Sequence, residues 1–236
     1  MIRQFFSTEM GKLREMNFTD KRQYIWEYYK LHIIFTAMGL FMIGSLINVW
    51  FINPPLRDHL YIAWQAFPVH SDTLEEISEE LSVIVYDQDR YRVSVRSYVL
   101  TDDMQIDQAI ITRFHALLSV GDIHALITTR EDIQDGAEFG LLRPMTEVLA
   151  IIQSSSPSLY EEISGRLLTV TYTDMDSEYT ITDVMGIDLS GAPLLLEHGL
   201  TMGDMYLAVI INSEHFEELA QALAVIFRKD FFRNYE

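Results

Sequence analysis

The stretch YRVSVRSYVLTDDMQIDQAIITRFHALLSVGDIHALITT, residues 91–129, decides the fold class because it holds two strand patterns separated by a helix pattern. Its first ten residues alternate between apolar and polar side chains, as in a strand with one wetter face. Its middle part repeats apolar residues at helical spacing, with Asp102 or Asp103 as the helix cap and Gly121 as its end. The apolar run Ile123–Thr129 then predicts a short central strand.

Similar patterns continue on both sides of this stretch. Before it, Leu60–Phe67 predicts a strand, and Asp72 with Glu75 has capping-box spacing at the start of a helix. After it, residues 166–189 predict a β-hairpin, and Tyr206–Asn212 predicts a last strand followed by an amphipathic helix. The β-α-β-α-β order is typical of an α/β domain with a mostly parallel sheet and helices on both faces.

An uncharged apolar segment precedes this domain. Leu31–Ile52 contains no Asp, Glu, Lys or Arg, and as a helix it would be about 33 Å long, enough to cross the hydrocarbon core of a bilayer. The main alternative is a cleaved signal peptide. Against it, thirty residues precede the segment, and no small-residue cleavage motif comes before Asn53. The sequence therefore predicts an uncleaved transmembrane signal-anchor helix.

Basic residues predict the orientation of this helix in the cell membrane. Lys21, Arg22 and Lys30 lie just before it, whereas Arg57 is the only basic residue close after it. By the positive-inside rule, the N-terminus is cytoplasmic and the C-terminal domain is extracellular. The predicted parts are a cytoplasmic basic and aromatic segment, a transmembrane helix, a tether and an extracytoplasmic α/β domain, over residues 1–30, 31–52, 53–59 and 60–236 respectively.

Charge and composition exclude several classes of function. The formal charge of −18 is uneven: residues 1–30 carry six basic and four acidic groups, and the remainder carries eleven basic and thirty-one acidic groups. Such an acidic body repels nucleic acid, so nucleic acid is excluded as a partner. The chain has no cysteine, which excludes disulfides, thiolate sites and a lipoprotein-type anchor.

The sequence contains no recognisable catalytic or cofactor-binding motif. It has no glycine-rich nucleotide loop, no nucleophile elbow and no His-Glu-x-x-His pattern. Its seven histidines show no i, i+4 pairing, so packing or surface roles are expected for them. The acids of Asp174–Tyr179 lack the glycine and the distant glutamate of a calcium loop, which favours a hairpin tip. These patterns predict no metal site, no cofactor and no enzyme activity.

Two segments carry a family resemblance. GLLRPMTEVL (Gly140–Leu149) follows a predicted strand and short helix, and in the tail Gly203–Phe227 a strand ending in Asn-Ser leads into a helix. Both segments resemble bacterial extracellular solute-binding proteins of the two-lobed periplasmic type, and the likeness extends over residues 60–228. The resemblance implies a type II periplasmic-binding-protein-like fold.

That family usually inserts a second lobe before its final strands. Here 56 residues separate Leu149 from Tyr206, which leaves room for a helix and a hairpin. The resemblance therefore implies a one-lobed, membrane-anchored relative.

The resemblance implies a non-catalytic ligand-binding or sensing function with a small polar solute as partner. The alternative left open is a protein–protein interaction ectodomain of a membrane or envelope complex that binds no small molecule. In open parallel sheets, ligands lie outside the carboxyl ends of the strands. The candidate ligand-binding residues at these predicted strand ends are Gln65, Phe67, Thr101, Asp102, Thr128 and Thr129.

Overall fold

The structure is a computed structural model that describes residues 17–52, 55–101, 103–173, 179–201 and 203–231. The chain divides into two units, Met1–Pro55 and Leu56–Glu236.

The described part of the first unit is one long helix. Helix α1 (Phe18–Ile47) continues directly into a short π-helix (Asn48–Ile52). Its segment Tyr29–Trp50 spans 22 residues with a mean hydropathy of 1.9, and none of it is buried. Large apolar side chains such as Leu40 and Phe41 are 66% and 77% exposed. The helix is therefore long and apolar enough to span a membrane.

The second unit is a mixed α/β fold built on one seven-stranded sheet. Its strands are β1 (Arg57–Trp64), β2 (Tyr91–Ser97), β3 (Ala125–Thr128), β4 (Leu142–Arg143), β5 (Leu167–Thr173), β6 (Thr180–Asp188) and β7 (Tyr206–Ile210). Its α-helices are α2 (Ser71–Leu81), α3 (Met104–Val120), α4 (Arg130–Glu138), α5 (Thr146–Ser155), α6 (Pro157–Ser164), α7 (Pro193–Glu197) and α8 (Phe216–Ile226).

The sheet is mixed, with two parallel and four antiparallel strand pairings among the described residues. Its order is β2-β1-β3-β7-β6-β5, with β4 also paired to β7. Strand β1 pairs in parallel with β2 and β3, whereas all other pairings are antiparallel. The predicted hairpin is confirmed as β5 and β6, but the prediction of a mostly parallel sheet is wrong. The reason lies in the connection between β6 and β7, whose two ends meet: the N–H of Leu189 donates to the carbonyl of Met205 at 2.7 Å. Strand β7 therefore starts beside the end of β6, with Tyr206 opposite Asp188, and runs antiparallel to it.

Side chains of the central strands alternate between two apolar layers. In β1, Leu60, Ile62 and Trp64 pack on one face, and Tyr61 and Ala63 pack on the other. Buried side chains of α2, α5, α6 and α8 cover the first face, and α4 covers the second together with half-buried side chains of α3. The expected helices on both faces are confirmed.

The helix ends agree in part with the sequence patterns. The side chain of Asp103 caps α3 by accepting backbone N–H bonds, and Gly121 ends the helix with φ 78°, a left-handed conformation that favours glycine. The capping box predicted at Asp72 and Glu75 is not formed, because α2 begins earlier and its N-cap is His70. Asp72 instead lies inside the first turn, where its charge complements the helix dipole.

Ser78 of α2 and Ser82, the C-cap residue of the same helix, close the outer edge of β2. Strand β2 is the last strand on its side of the sheet. The hydroxyl oxygens of Ser78 and Ser82 accept the outward backbone N–H groups of Val95 (2.9 Å) and Val93 (3.0 Å). Since these N–H groups already have partners, this edge cannot template the addition of another strand there.

Candidate functional site

Three of the predicted ligand-binding residues are threonines whose hydroxyls donate to carboxylates. The Thr101 hydroxyl donates to Asp107 at 2.9 Å. The hydroxyls of Thr128 and Thr129 both donate to Asp132 at 2.6 Å, and Thr129 with Asp132 forms the capping box of α4. These hydroxyls therefore hold the starts of helices.

Of the other three predicted residues, Gln65 and Phe67 follow the end of β1. The backbone N–H of Gln65 donates to the carbonyl of Ile127 at 2.7 Å, which places Gln65 beside the end of β3. Phe67 packs edge-to-face on Trp64 with ring centroids 5.3 Å apart, and its carbonyl accepts the indole N–H. Asp102 lies outside the described residues. The role of these six residues in ligand binding stays a prediction.

A pocket of about 400 Å³ lies at the opposite ends of the parallel strands. Three histidines converge on it: His59 from the start of β1, His124 from just before β3, and His215 from the N-cap of α8. We call it the histidine pocket, defined by His59, His124 and His215 together with Asp58, Tyr91 and Asp122.

Strand pairing brings the three histidines together. Because β1 and β3 are parallel neighbours, His124 lies next to Tyr61, and each donates its backbone N–H to the other residue. On the other side, the N–H of Ile210 at the end of β7 donates to the carbonyl of His124. The short connection from β7 into α8 then places His215 over the same strand ends, 4.2 Å from His124 between ring centroids.

The protonation state of His124 follows from its surroundings. Burial, reinforced by the nearby His215, lowers the pKa of His124 to about 4, so its ring is neutral at pH 7. Its Nδ1 accepts the backbone N–H of Tyr61 at 2.9 Å. A neutral imidazole whose Nδ1 accepts a hydrogen bond carries its proton on Nε2. His124 is therefore a fixed element of the wall, with no nitrogen lone pair available to a ligand.

His59 and His215 direct their nitrogens at a single carboxylate. His59 Nε2 lies 3.2 Å from Glu218 Oε1, and His215 Nδ1 lies 3.7 Å from the same oxygen. The ligand atoms of all three residues lie within 4.8 Å of one another. The side chains of His59, His215 and Glu218 are 36%, 33% and 28% exposed, so the cluster is half-buried and open to solvent from the pocket.

This arrangement places two imidazoles of the pocket wall next to one carboxylate, that of Glu218. Unlike Thr101, Thr128 and Thr129, whose hydroxyls donate to carboxylates of the following helices, these groups converge from two separate elements on one solvent-accessible point. They can accept hydrogen bonds from a polar ligand, or they can act as ligands for a metal ion.

A second concavity of about 350 Å³ follows the outer edge of β2 against α2. Ser71, Glu75, Arg96 and Ser97 contribute to its lining. All of its lining comes from these two elements and the residues just before α2, so it is a surface groove along a strand edge. The histidine pocket differs because its lining comes from five places in the fold: β1, β2, α3, the residues just before β3 and the N-cap of α8.

The sequence contains one signal for this cluster. His215 and Glu218 have i, i+3 spacing at the start of a helix, which places their side chains on one face. The i, i+4 spacing of two histidines, which the sequence lacks, does not cover a histidine and a glutamate three residues apart. His59 has no sequence signal, because it reaches the cluster only through the parallel pairing of β1 and β3 beside β7.

Comparisons of this chain with protein-family models, with curated proteins and with solved structures gave no match. The geometry of the described residues is therefore the basis for a functional proposal.

Proposed function

We propose that this chain is a single-pass, membrane-anchored, extracytoplasmic binding domain of the solute-binding type, non-catalytic, whose ligand occupies the histidine pocket. The observation that carries the proposal is the convergence of His59 and His215 on one cavity, with the Glu218 carboxylate beside both imidazoles. The volume of about 400 Å³ falls within the usual range for small-ligand sites, roughly 300–1,000 Å³.

The long apolar helix supports the anchored location. Nothing in the described residues buries the segment Tyr29–Trp50, and leaving that much apolar surface in water is unfavourable. Lys21, Arg22 and Lys30 before the segment favour a cytoplasmic N-terminus. With that orientation the α/β unit faces the outside of the cell.

A thermal-shift screen tests the binding proposal. The full chain in detergent micelles is heated with a panel of amino acids, short peptides, sugars and transition-metal ions. A ligand at a hundred times its Kd adds about 2.7 kcal/mol, which raises Tm by roughly 5–10 °C in a domain of this size. We expect one ligand class to give such a shift.

Two variants locate the binding. His215→Ala should abolish the shift, whereas His198→Ala should keep it, since His198 also sits between carboxylates but lies outside the histidine pocket. An equal shift in His215→Ala would contradict the proposal. If no ligand of the panel raises Tm and the chain co-purifies with one envelope protein, the result would support the interaction ectodomain instead.

A further inference from the structure

The donor atoms of the histidine pocket have the spacing of a metal coordination shell. Zinc binds imidazole nitrogens and carboxylate oxygens at about 2.0–2.2 Å, so two ligands of a tetrahedral ion are about 3.3 Å apart. The distances from Glu218 Oε1 to His59 Nε2 and to His215 Nδ1 are 3.2 and 3.7 Å. These two distances lie on either side of that value, and all three ligand atoms lie within 4.8 Å of one another.

Hydrogen bonding alone explains this cluster poorly. The 3.7 Å between His215 Nδ1 and Glu218 Oε1 is longer than a hydrogen bond. Both imidazoles face the same carboxylate oxygen, although a second oxygen of Glu218 is available. A cation between the three groups accounts for both observations.

We infer that the histidine pocket binds one divalent transition-metal ion of the zinc class, held by His59, His215 and Glu218. The inference rests on the proposed function, because it names the ligand of that same pocket. Two imidazoles with one carboxylate suit Zn²⁺ and its neighbours Co²⁺ and Ni²⁺, whereas Ca²⁺ and Mg²⁺ take oxygen ligands. The strongly acidic body of the protein attracts cations towards the site.

The three protein ligands leave the shell incomplete among the described residues. His124 is the nearest further imidazole, but its Nδ1 accepts the Tyr61 N–H and its Nε2 carries the proton, so it offers no lone pair. A fourth position therefore opens into the pocket, where water or a small co-ligand can bind. Structural zinc sites are closed by four protein ligands. The open shell fits an ion that is captured and released.

Titration with cobalt and zinc tests the inference. The full chain in detergent is stripped with EDTA, dialysed and titrated with Co²⁺, whose visible absorption reports its coordination, and then with Zn²⁺ as competitor. We expect one equivalent of Co²⁺ per chain, displacement by Zn²⁺ and no competition from Mg²⁺ or Ca²⁺. His59→Ala and Glu218→Gln should each weaken binding by at least about tenfold, and His198→Ala should bind like the wild type.

The outcomes separate this inference from the proposed function. Wild-type affinity in both His59→Ala and Glu218→Gln, each with a wild-type circular dichroism spectrum, would overturn the metal site. So would a chain that takes up no cobalt. If a non-metal ligand then still raises Tm in EDTA and loses this effect in His215→Ala, the proposed binding function stands and the metal inference alone fails. If no ligand of any kind raises Tm, both fail.

Discussion

Replacing Ser78 and Ser82 together by alanine should lower the free energy of unfolding by about 2–4 kcal/mol and should cause self-association. Each hydroxyl donates to a carbonyl of its own helix, Leu74 or Ser78, while its oxygen accepts an N–H of β2. Alanine leaves those two N–H groups without partners, at a cost of about 1–2 kcal/mol each when solvent can partly reach them. The uncovered strand edge can then pair with another chain.

Ser119→Ala is the matched control. Its hydroxyl makes the same bond to the carbonyl four residues earlier, that of His115, but it covers no strand. We expect a change of at most about 0.5 kcal/mol, as for most surface substitutions. Chemical denaturation followed by circular dichroism measures the stabilities, and light scattering measures the mass. A double variant as stable and monomeric as Ser119→Ala would show that the serines do not protect the edge.

Single cysteines should be labelled on one side of the membrane only. The chain has no cysteine of its own, so each introduced thiol reports without background. In intact cells, Ser154→Cys on the exposed end of α5 should react fully with a membrane-impermeant maleimide, and Thr19→Cys at the start of α1 should not. Permeabilised cells should label both. Labelling of Thr19→Cys alone in intact cells would reverse the predicted orientation and place the pocket in the cytoplasm.

Local patterns predicted the elements better than their arrangement. Asp103 and Gly121 end α3 as expected because capping depends on residues adjacent in the sequence. The hairpin of β5 and β6 was predicted, but the antiparallel pairings of β7 were missed because they depend on where the connection after β6 ends. The periodic pattern of a strand does not contain its direction relative to its neighbours. The likeness to a solute-binding lobe stays a prediction.

The candidate site was harder to predict than the fold. Thr128 and Thr129 lie at the carboxyl end of a central strand as expected, but Asp132, four and three residues later, accepts both hydroxyls. The pairing of Thr129 with Asp132 has capping-box spacing, so the sequence could have predicted it. The sequence could not have predicted the contact between His59 and His215, because 156 positions separate them and it forms only when three strands assemble.

X-ray diffraction above and below the zinc absorption edge, on crystals of the full chain grown with zinc, tests the central claim most directly. We predict one strong anomalous peak in the histidine pocket, about 2.0–2.2 Å from His59 Nε2, His215 Nδ1 and a Glu218 carboxylate oxygen. A pocket without such a peak, with zinc bound at other residues or not at all, would contradict the account.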